Sequence, residues 1–209
     1  MANVKMMQGC DLSHWDAGRY KNIMNIMMDE TTKFVIIKAT EGKTGFDRYC
    51  DIIYNFYTSV HDRIGTPAED RLYGFYHYAH PELNSPEEEA RNYLSRIGHH
   101  AGKAMLCLDW EGKAWKCSPR WARAWLDCVY KETGVKPLFY TSSSYLGNLG
   151  CVAEGDYGLW VASYRKTKPA KVTPWKFAAM WQYTSDPYDH DLFYGDPETW
   201  KKYITPVKR

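Results

Sequence analysis

The amino-acid sequence predicts an α/β fold, an irregular TIM-like barrel of about five βα units followed by three strands. Three observations carry that expectation. Apolar segments of strand length recur along the 209 residues. Helical patterns with clear boundary signals lie between the early segments, and the last three segments leave little room for helices. Strands alternating with helices imply a parallel sheet, and about eight strands in one chain of this size imply closure into a barrel.

The strand-like segments are 6–12, 34–40, 72–79, 104–111, 137–142, 158–164, 177–184 and 191–194. After the first, Ile23, Met24, Met27 and Met28 fall on one helical face, the mark of a side packed on the core. Ser85-Pro86-Glu87-Glu88 is a capping box with proline at the first helical position, opening a helix to about Ile97. Ser118-Pro119 opens another, which runs to Thr133 and stops at Gly134. Asp196-Pro197 starts a short helix near the C-terminus, with Asp196 as its cap, and Asp16 reads as a cap as well. No Gly/Ser/Pro-rich linker and no internal repeat interrupts the pattern, so one domain over residues 1–209 is expected.

Composition narrows the function. Lys plus Arg is 27 and Asp plus Glu is 25, a net charge of +2, which argues against a nucleic-acid binder. No run approaches the ~18 apolar residues of a membrane span. The start of the chain has no apolar leader, so synthesis as a cytoplasmic protein without a signal peptide is expected. Six cysteines without a CxxC pair read as reduced thiols, not a zinc or redox framework. His77 and His80 form an HxxH, and Asp186, Asp189 and Asp191 an acidic loop without the glycine and terminal glutamate of a calcium loop. Neither pattern is enough for a metal site, and no cofactor is expected. His99-His100 reads as an exposed helix end. Seventeen Tyr and 9 Trp mostly build the core, while those at strand ends offer flat faces for sugar rings.

In parallel βα architectures, functional groups gather at the carboxyl ends of the strands. Those ends are Asp11, Glu41, Tyr76 to Tyr78, Asp109 with Glu111, Tyr140, Trp160 with Tyr164, and Gln182; the last strand begins with Asp191. Asp109 and Glu111 follow the apolar run Leu106-Cys107-Leu108, two positions apart, so an extended chain aims both into one space. Buried acids are costly, and paired carboxyls are the equipment of glycosidic cleavage. Crowding keeps at least one of them protonated, as a general acid requires. Glu111 has the longer reach and is assigned the acid, with Asp109 as its ionised partner. The Cα spacing of about 6.6 Å leaves retention and inversion both open. Glu41, Tyr76, Tyr78, Tyr140, Trp160 and Gln182 form the expected substrate-binding set. Lys38, inside an apolar strand, needs a neighbouring carboxylate or a route to the rim.

The motifs Gly9-Cys10-Asp11-Leu12-Ser13, Lys38-Ala39-Thr40-Glu41-Gly42, Gly74-Phe75-Tyr76-His77-Tyr78-Ala79, Leu108-Asp109-Trp110-Glu111, Leu159-Trp160-Val161-Ala162-Ser163-Tyr164 and Trp181-Gln182-Tyr183-Thr184-Ser185 occur in that order. Together they resemble glycoside hydrolase family 25, the muramidases of bacterial and phage lysozyme type, over residues 8–191. The resemblance implies an incomplete barrel and cleavage of the β-1,4 bond between N-acetylmuramic acid and N-acetylglucosamine in peptidoglycan. It matches Glu111 to the family's acid, Asp109 to its partner carboxylate, and Asp11 and Asp191 to the flanking acids that tune and position that pair, the four together being the expected catalytic set. Asp109 would orient the substrate's acetamide as its oxygen attacks the anomeric carbon, or act as nucleophile. The chain departs from the family at Asp16, where a glutamine is usual, and at Phe193, where an asparagine is usual.

A phage endolysin is the implied setting, monomeric, without a separate wall-binding domain, reaching the wall after holin-type release. Two alternatives are weighed against it. A family 18 chitinase-like barrel also ends a strand in D-x-E, but Met105-Leu106-Cys107-Leu108 lacks that family's preceding acids. A non-catalytic glycan-binding barrel would not need both carboxyls intact.

Overall fold

The computed structural model of the chain describes residues 5–29, 31–165, 167 and 171–207, and the side chains of 17–22 and 24 fall outside that description. Five βα units come first: β1 (Met7–Leu12) with α1 (Tyr20–Met28), β2 (Thr32–Glu41) with the short β3 (Gly45–Phe46) and α2 (Cys50–Arg63), β4 (Leu72–Tyr78) with α3 (Pro86–Ile97), β5 (Met105–Asp109) with α4 (Pro119–Thr133), and β6 (Leu138–Ser142) with the one-turn α5 (Gly150–Ala153). Three strands follow, β7 (Leu159–Ala162), β8 (Met180–Thr184) and β9 (His190–Phe193), and α6 (Pro197–Ile204) ends the described chain. No helix is long and apolar enough to cross a membrane.

Strands β1, β2, β4, β5, β6, β7 and β8 pair in parallel, and β9 returns antiparallel between β8 and β1 to close an eight-stranded barrel. The reversal has a simple cause. Only the stretch from Ser185 to Asp189 separates β8 from β9, too short for the crossover a parallel partner needs. Strand β3 hangs on β2 as a hairpin outside the closed ring.

Alternation sorts the side chains of each strand. Met7, Phe34, Ile36, Leu72, Met105, Cys107, Leu138, Met180 and Phe193 fill the barrel, and their neighbours in sequence face the helices. Helix α6 closes the end of the barrel opposite the strands' carboxyl ends. Its Trp200, fully buried, packs against Phe34 and Phe193 with ring centroids 5.0 and 5.1 Å away. Room for the Phe34 ring exists because residue 9 is glycine: a Cβ there would stand 2.5 Å from Phe34 Cδ2. On the outside, α4 buries Ala122, Trp125, Leu126 and Val129, an i, i+3, i+4, i+7 stripe.

The helix boundaries follow the expected chemistry at α3, α4 and α6. Ser85 and Glu88 form both halves of the capping box, Ser118 caps α4 and Gly134 ends it in the left-handed region, and Asp196 accepts from the Thr199 amide. Helix α2 escapes the boundary signals because its N-cap position, Tyr49, makes no side-chain cap bond. Asp47 organises the turn into it instead, accepting from the Tyr49 amide. Helix α1 buries Ile23, Ile26 and Met27, while Met28 is 60% exposed, so its core face is turned towards Ile26 and away from the predicted Met28; the predicted Met24 lies outside the described side chains. His100 is likewise no free helix end, since its ring packs against Tyr54 and Phe75.

Two substitutions test the plug. Trp200→Ala is expected to cost roughly 3–5 kcal/mol through the cavity it opens, and Gly9→Ala about 1–3 kcal/mol by overpacking against Phe34. Urea denaturation midpoints at constant m measure both, and an unchanged midpoint for either would show that the barrel floor repacks freely.

Candidate active site

The site begins with the direction of the strands. All parallel strands end at one rim, and because β9 runs the other way, its start reaches the same rim. A cleft of about 450 Å³ opens there, lined by Asp11, Glu41, Tyr76, Tyr78, Asp109, Glu111, Tyr140, Trp160 and Gln182, all predicted site residues. Asp191, the remaining predicted one, lies beneath the cleft and is fully buried. Its neighbour Asp189 takes a place in the cleft wall, with Ser13, Trp15, Asp16, Lys38, His80 and Tyr164. A larger groove, about 660 Å³, runs beside α6, but its carboxylates, Glu154 and Asp156, are exposed to solvent. Buried acids converge only at the rim cleft among the described residues, so the chemistry belongs there.

Asp109 and Glu111 owe their positions to Trp110. The β5 ladder ends at Asp109, short of the predicted 111, yet the chain stays extended through Glu111 at φ −145°, ψ −178°. Trp110 turns outward into the helical layer and is buried. Its amide donates to the Tyr140 carbonyl at 3.0 Å, and its carbonyl accepts from Trp115 Nε1 and Thr141 Oγ1, each at 2.9 Å. With the middle residue pinned outward, both flanking carboxyls are turned into the cleft. Gly112, at φ +58°, then turns the chain away; a side chain there would be strained and would meet the Tyr78 hydroxyl at 3.0 Å.

Around this segment the polar groups interlock. Gln182 donates to Asp11 Oδ2 at 2.7 Å and accepts from the hydroxyls of Tyr140 and Tyr164 at 2.9 and 2.8 Å. Trp160 Nε1 donates to Asp191 Oδ1 at 2.8 Å. Lys38 has the carboxylate partner that its buried position demands, Glu41 Oε2 at 2.6 Å, and its Nζ sits 4.9 Å from the Tyr78 ring centre. One oxygen of Asp109, Oδ1, is buried without a hydrogen-bond partner among the described residues.

The histidines of the HxxH separate. His77 turns outward and is fully buried, bonded to Thr40 Oγ1 at 2.7 Å and to Glu89 Oε2 at 2.8 Å, while His80 lines the cleft. Glu89, fully buried on α3, also accepts from the His80 amide and from Asn84, so it anchors the loop that carries His80. His14 is tied to Asp47 at 2.6 Å and holds the segment bearing Trp15, whose indole stands 80% exposed at the lip. Asp16 bonds back to the Ser13 amide at 2.9 Å, the reach-back half of a cap, and also faces the cleft.

Burial governs the protonation of the acids, and mutual repulsion adds to it. Asp109, expected to be the ionised partner, is instead held well above the usual aspartate range by burial first and by Glu111 second, against the pull of Lys38. Burial likewise raises Glu111, and Lys38 opposes it. Asp11 and Asp191 are raised chiefly by burial. Asp189 is lifted to about 6 by burial and then by Asp16 and Glu111. Glu41 goes the other way: burial works upward, but the hydrogen bond and charge of Lys38 outweigh it. Such a site holds protons at a pH where free carboxyls have lost them, and it presents an unpaired buried oxygen to whatever enters.

Asp189 was missed as a site residue because its place depends on strand direction. In an antiparallel β9 the residues just before the strand lie at the rim, a signal visible only once the five-residue connection to β8 is read as a hairpin.

Residues 10–192 match the model of glycosyl hydrolases family 25. Among curated proteins, the uncharacterized protein YegX of Escherichia coli K12 is 27% identical over 217 residues, covering 97% of this chain and 75% of YegX. The fold is shared with a muramidase from Acremonium alcalophilum (TM-score 0.75, 23% identity, covering 96% of this chain and all of that one). A lysozyme from Streptomyces coelicolor superimposes equally well (0.75, 20% identity, 97% and 98% covered). The CTP1L endolysin is 25% identical at a TM-score of 0.65, covering 95% of this chain and 69% of that one.

The raised acids make stability depend on pH in a definite direction. A carboxyl with a raised folded-state pKa binds its proton more tightly in the folded chain, so its contribution is full at low pH and is lost as pH rises from about 4, the unfolded aspartate value. Asp109→Asn removes that loss. Urea unfolding across a pH series is expected to show the variant gaining on the wild type as pH increases; a gain at falling pH would mean that Asp109 is held as a stabilised anion.

Proposed function

The chain belongs to glycosyl hydrolases family 25 and is a glycoside hydrolase, and on that premise we propose that it is an N-acetylmuramidase acting on the β-1,4 bond between N-acetylmuramic acid and N-acetylglucosamine in peptidoglycan. The observation that carries the reading is the Asp109 Oδ1 atom, buried at the cleft floor without a donor among the described residues, beside a second carboxyl, Glu111, whose pKa burial raises. A sugar with a 2-acetamido group supplies the missing N–H.

Glu111 protonates the departing glycosidic oxygen. Asp109 accepts from the acetamide N–H and holds the amide so that its carbonyl oxygen attacks the anomeric carbon from the opposite face. Glu111, now ionised, then takes a proton from the water that opens the resulting ring. Asp11 and Gln182 brace the floor, while Tyr76, Tyr78, Tyr140, Trp160 and Trp15 offer ring faces and hydroxyls to the glycan, and Glu41 steadies Lys38. An endolysin acting on bacterial walls as a monomer is the setting proposed, supported by the likeness to the CTP1L endolysin.

Digestion of purified peptidoglycan with identification of new reducing ends by mass spectrometry tests this. Muramic-acid reducing ends are expected, and Glu111→Gln should lower their rate of appearance by roughly 10²–10⁴-fold, the usual worth of a general acid. Glucosamine reducing ends would assign the chitinase-like alternative, and undiminished cleavage by the variant would remove Glu111 from the mechanism.

A further inference from the structure

Beneath the cleft, Asp11 of β1 and Asp191 of β9 meet at the antiparallel seam that closes the barrel, where Asp191 stands opposite Gly9 on one side and Gln182 on the other. Asp11 is 7% exposed and Asp191 0%, and their carboxyls lie within hydrogen-bonding reach of each other. Asp11 Oδ2 accepts from Gln182, and Asp191 Oδ1 from the Trp160 indole. Asp191 Oδ2 is buried and has no hydrogen-bond partner among the described residues.

Two ionised carboxylates cannot rest there. They would leave Asp191 Oδ2 without a donor and set two like charges together away from water. One proton removes both faults, because a protonated carboxyl donates to an ionised one through a short, charge-assisted bond. We infer that Asp11 and Asp191 hold a single proton between them at neutral pH and act as a positioning pair, joining β1 to β9 and keeping Asp11 an acceptor for Gln182. Gln182 in turn fixes the hydroxyls of Tyr140 and Tyr164, so the shared proton sets the shape of the cleft wall without touching substrate.

The surroundings favour retention of that proton. The groups that feel the pair are Cys10 on β1, Tyr76 on β4, Cys107 on β5, Tyr140 on β6, Tyr164 just after β7, Tyr183 on β8 and Asp189 on the β8–β9 connection, all neutral or acidic. The nearby cation on β2, Lys38, is bound to Glu41. Burial thus acts with the repulsion of Asp189 to keep the pair singly charged.

Two measurements test the inference. Carboxyl carbon-13 NMR of aspartate-labelled protein, with signals assigned through the D11N and D191N variants, is expected to show one proton retained by the pair through neutral pH while exposed aspartates ionise near pH 4. Two ionised carboxylates at neutral pH would overturn the proposal. The second measurement rests on the muramidase reading: the pH profile of peptidoglycan cleavage. D191N keeps a donor at that position and the same net charge as the singly protonated pair, so its alkaline limb, which the ionisation of Glu111 sets, should stay where it is in the wild type. D191A supplies none and should lower kcat at every pH. A D191N limb that moves down would mean that the wild-type pair carries two charges, and a D191A kcat equal to that of the wild type would remove the pair from cleavage; either result overturns its role. Failure to cleave peptidoglycan at all would sink the muramidase reading and leave the NMR result standing on its own.

Discussion

The upper half of this barrel is organised around acids largely withdrawn from water. Asp11, Asp109 and Asp191 are all nine-tenths or more buried, and the buried ammonium of Lys38 is already committed to Glu41. Ionising every one of them together would cost more than a folded domain of this size can spare. The chain answers with protons and with oriented neutral donors: the amide of Gln182, the indole of Trp160 and the hydroxyls that Gln182 gathers. What makes the rim chemically competent is the same circumstance that makes it expensive to hold folded.

The lower half supplies the compensation. Its interior is apolar throughout, from Met7 and Phe34 to Met180 and Phe193, and α6 seals it with Trp200. The two halves divide along each strand, so Met105 and Cys107 belong to the packed floor while Asp109, two positions further on the same face, belongs to the chemistry. A rigid floor matters because the acids above it need fixed distances. The outward Trp110, bonded on both sides of its peptide to β6, transmits that rigidity to Asp109 and Glu111.

Much of this was legible from residue order, for a physical reason. Parallel βα units deliver the carboxyl ends of their strands to one rim, so Asp11, Glu41, Tyr76, Tyr78, Asp109, Glu111, Tyr140, Trp160 and Gln182 are found by locating strand ends alone. Asp189 and Asp191 lie where that rule stops, because β9 reverses, and the residue brought into the cleft is the one before the strand. Periodicity also misjudged the end of α1, where Met28 faces solvent and Ile26 is buried. The entry to α2 rests on Asp47 acting from a turn outside the helix, a contact with no fixed sequence spacing. His77 and Glu89 illustrate the same limit: nothing in the spelling of HxxH reveals that one ring leaves the cleft to meet a glutamate on the helix that follows, α3.

The reversed ninth strand divides the site by how freely its parts can change. Asp109 and Glu111 are held by a βα unit whose helix, strand and neighbours all pack on one another, so altering their placement would disturb half the barrel. Asp189 sits in a hairpin connection of five residues, and such connections tolerate changes of length and composition that packed units do not. The strand that closes the barrel is therefore reached through an adjustable connection. Variation in that connection can reshape one wall of the cleft, and with it the glycans admitted, while the reacting carboxyls stay where they are.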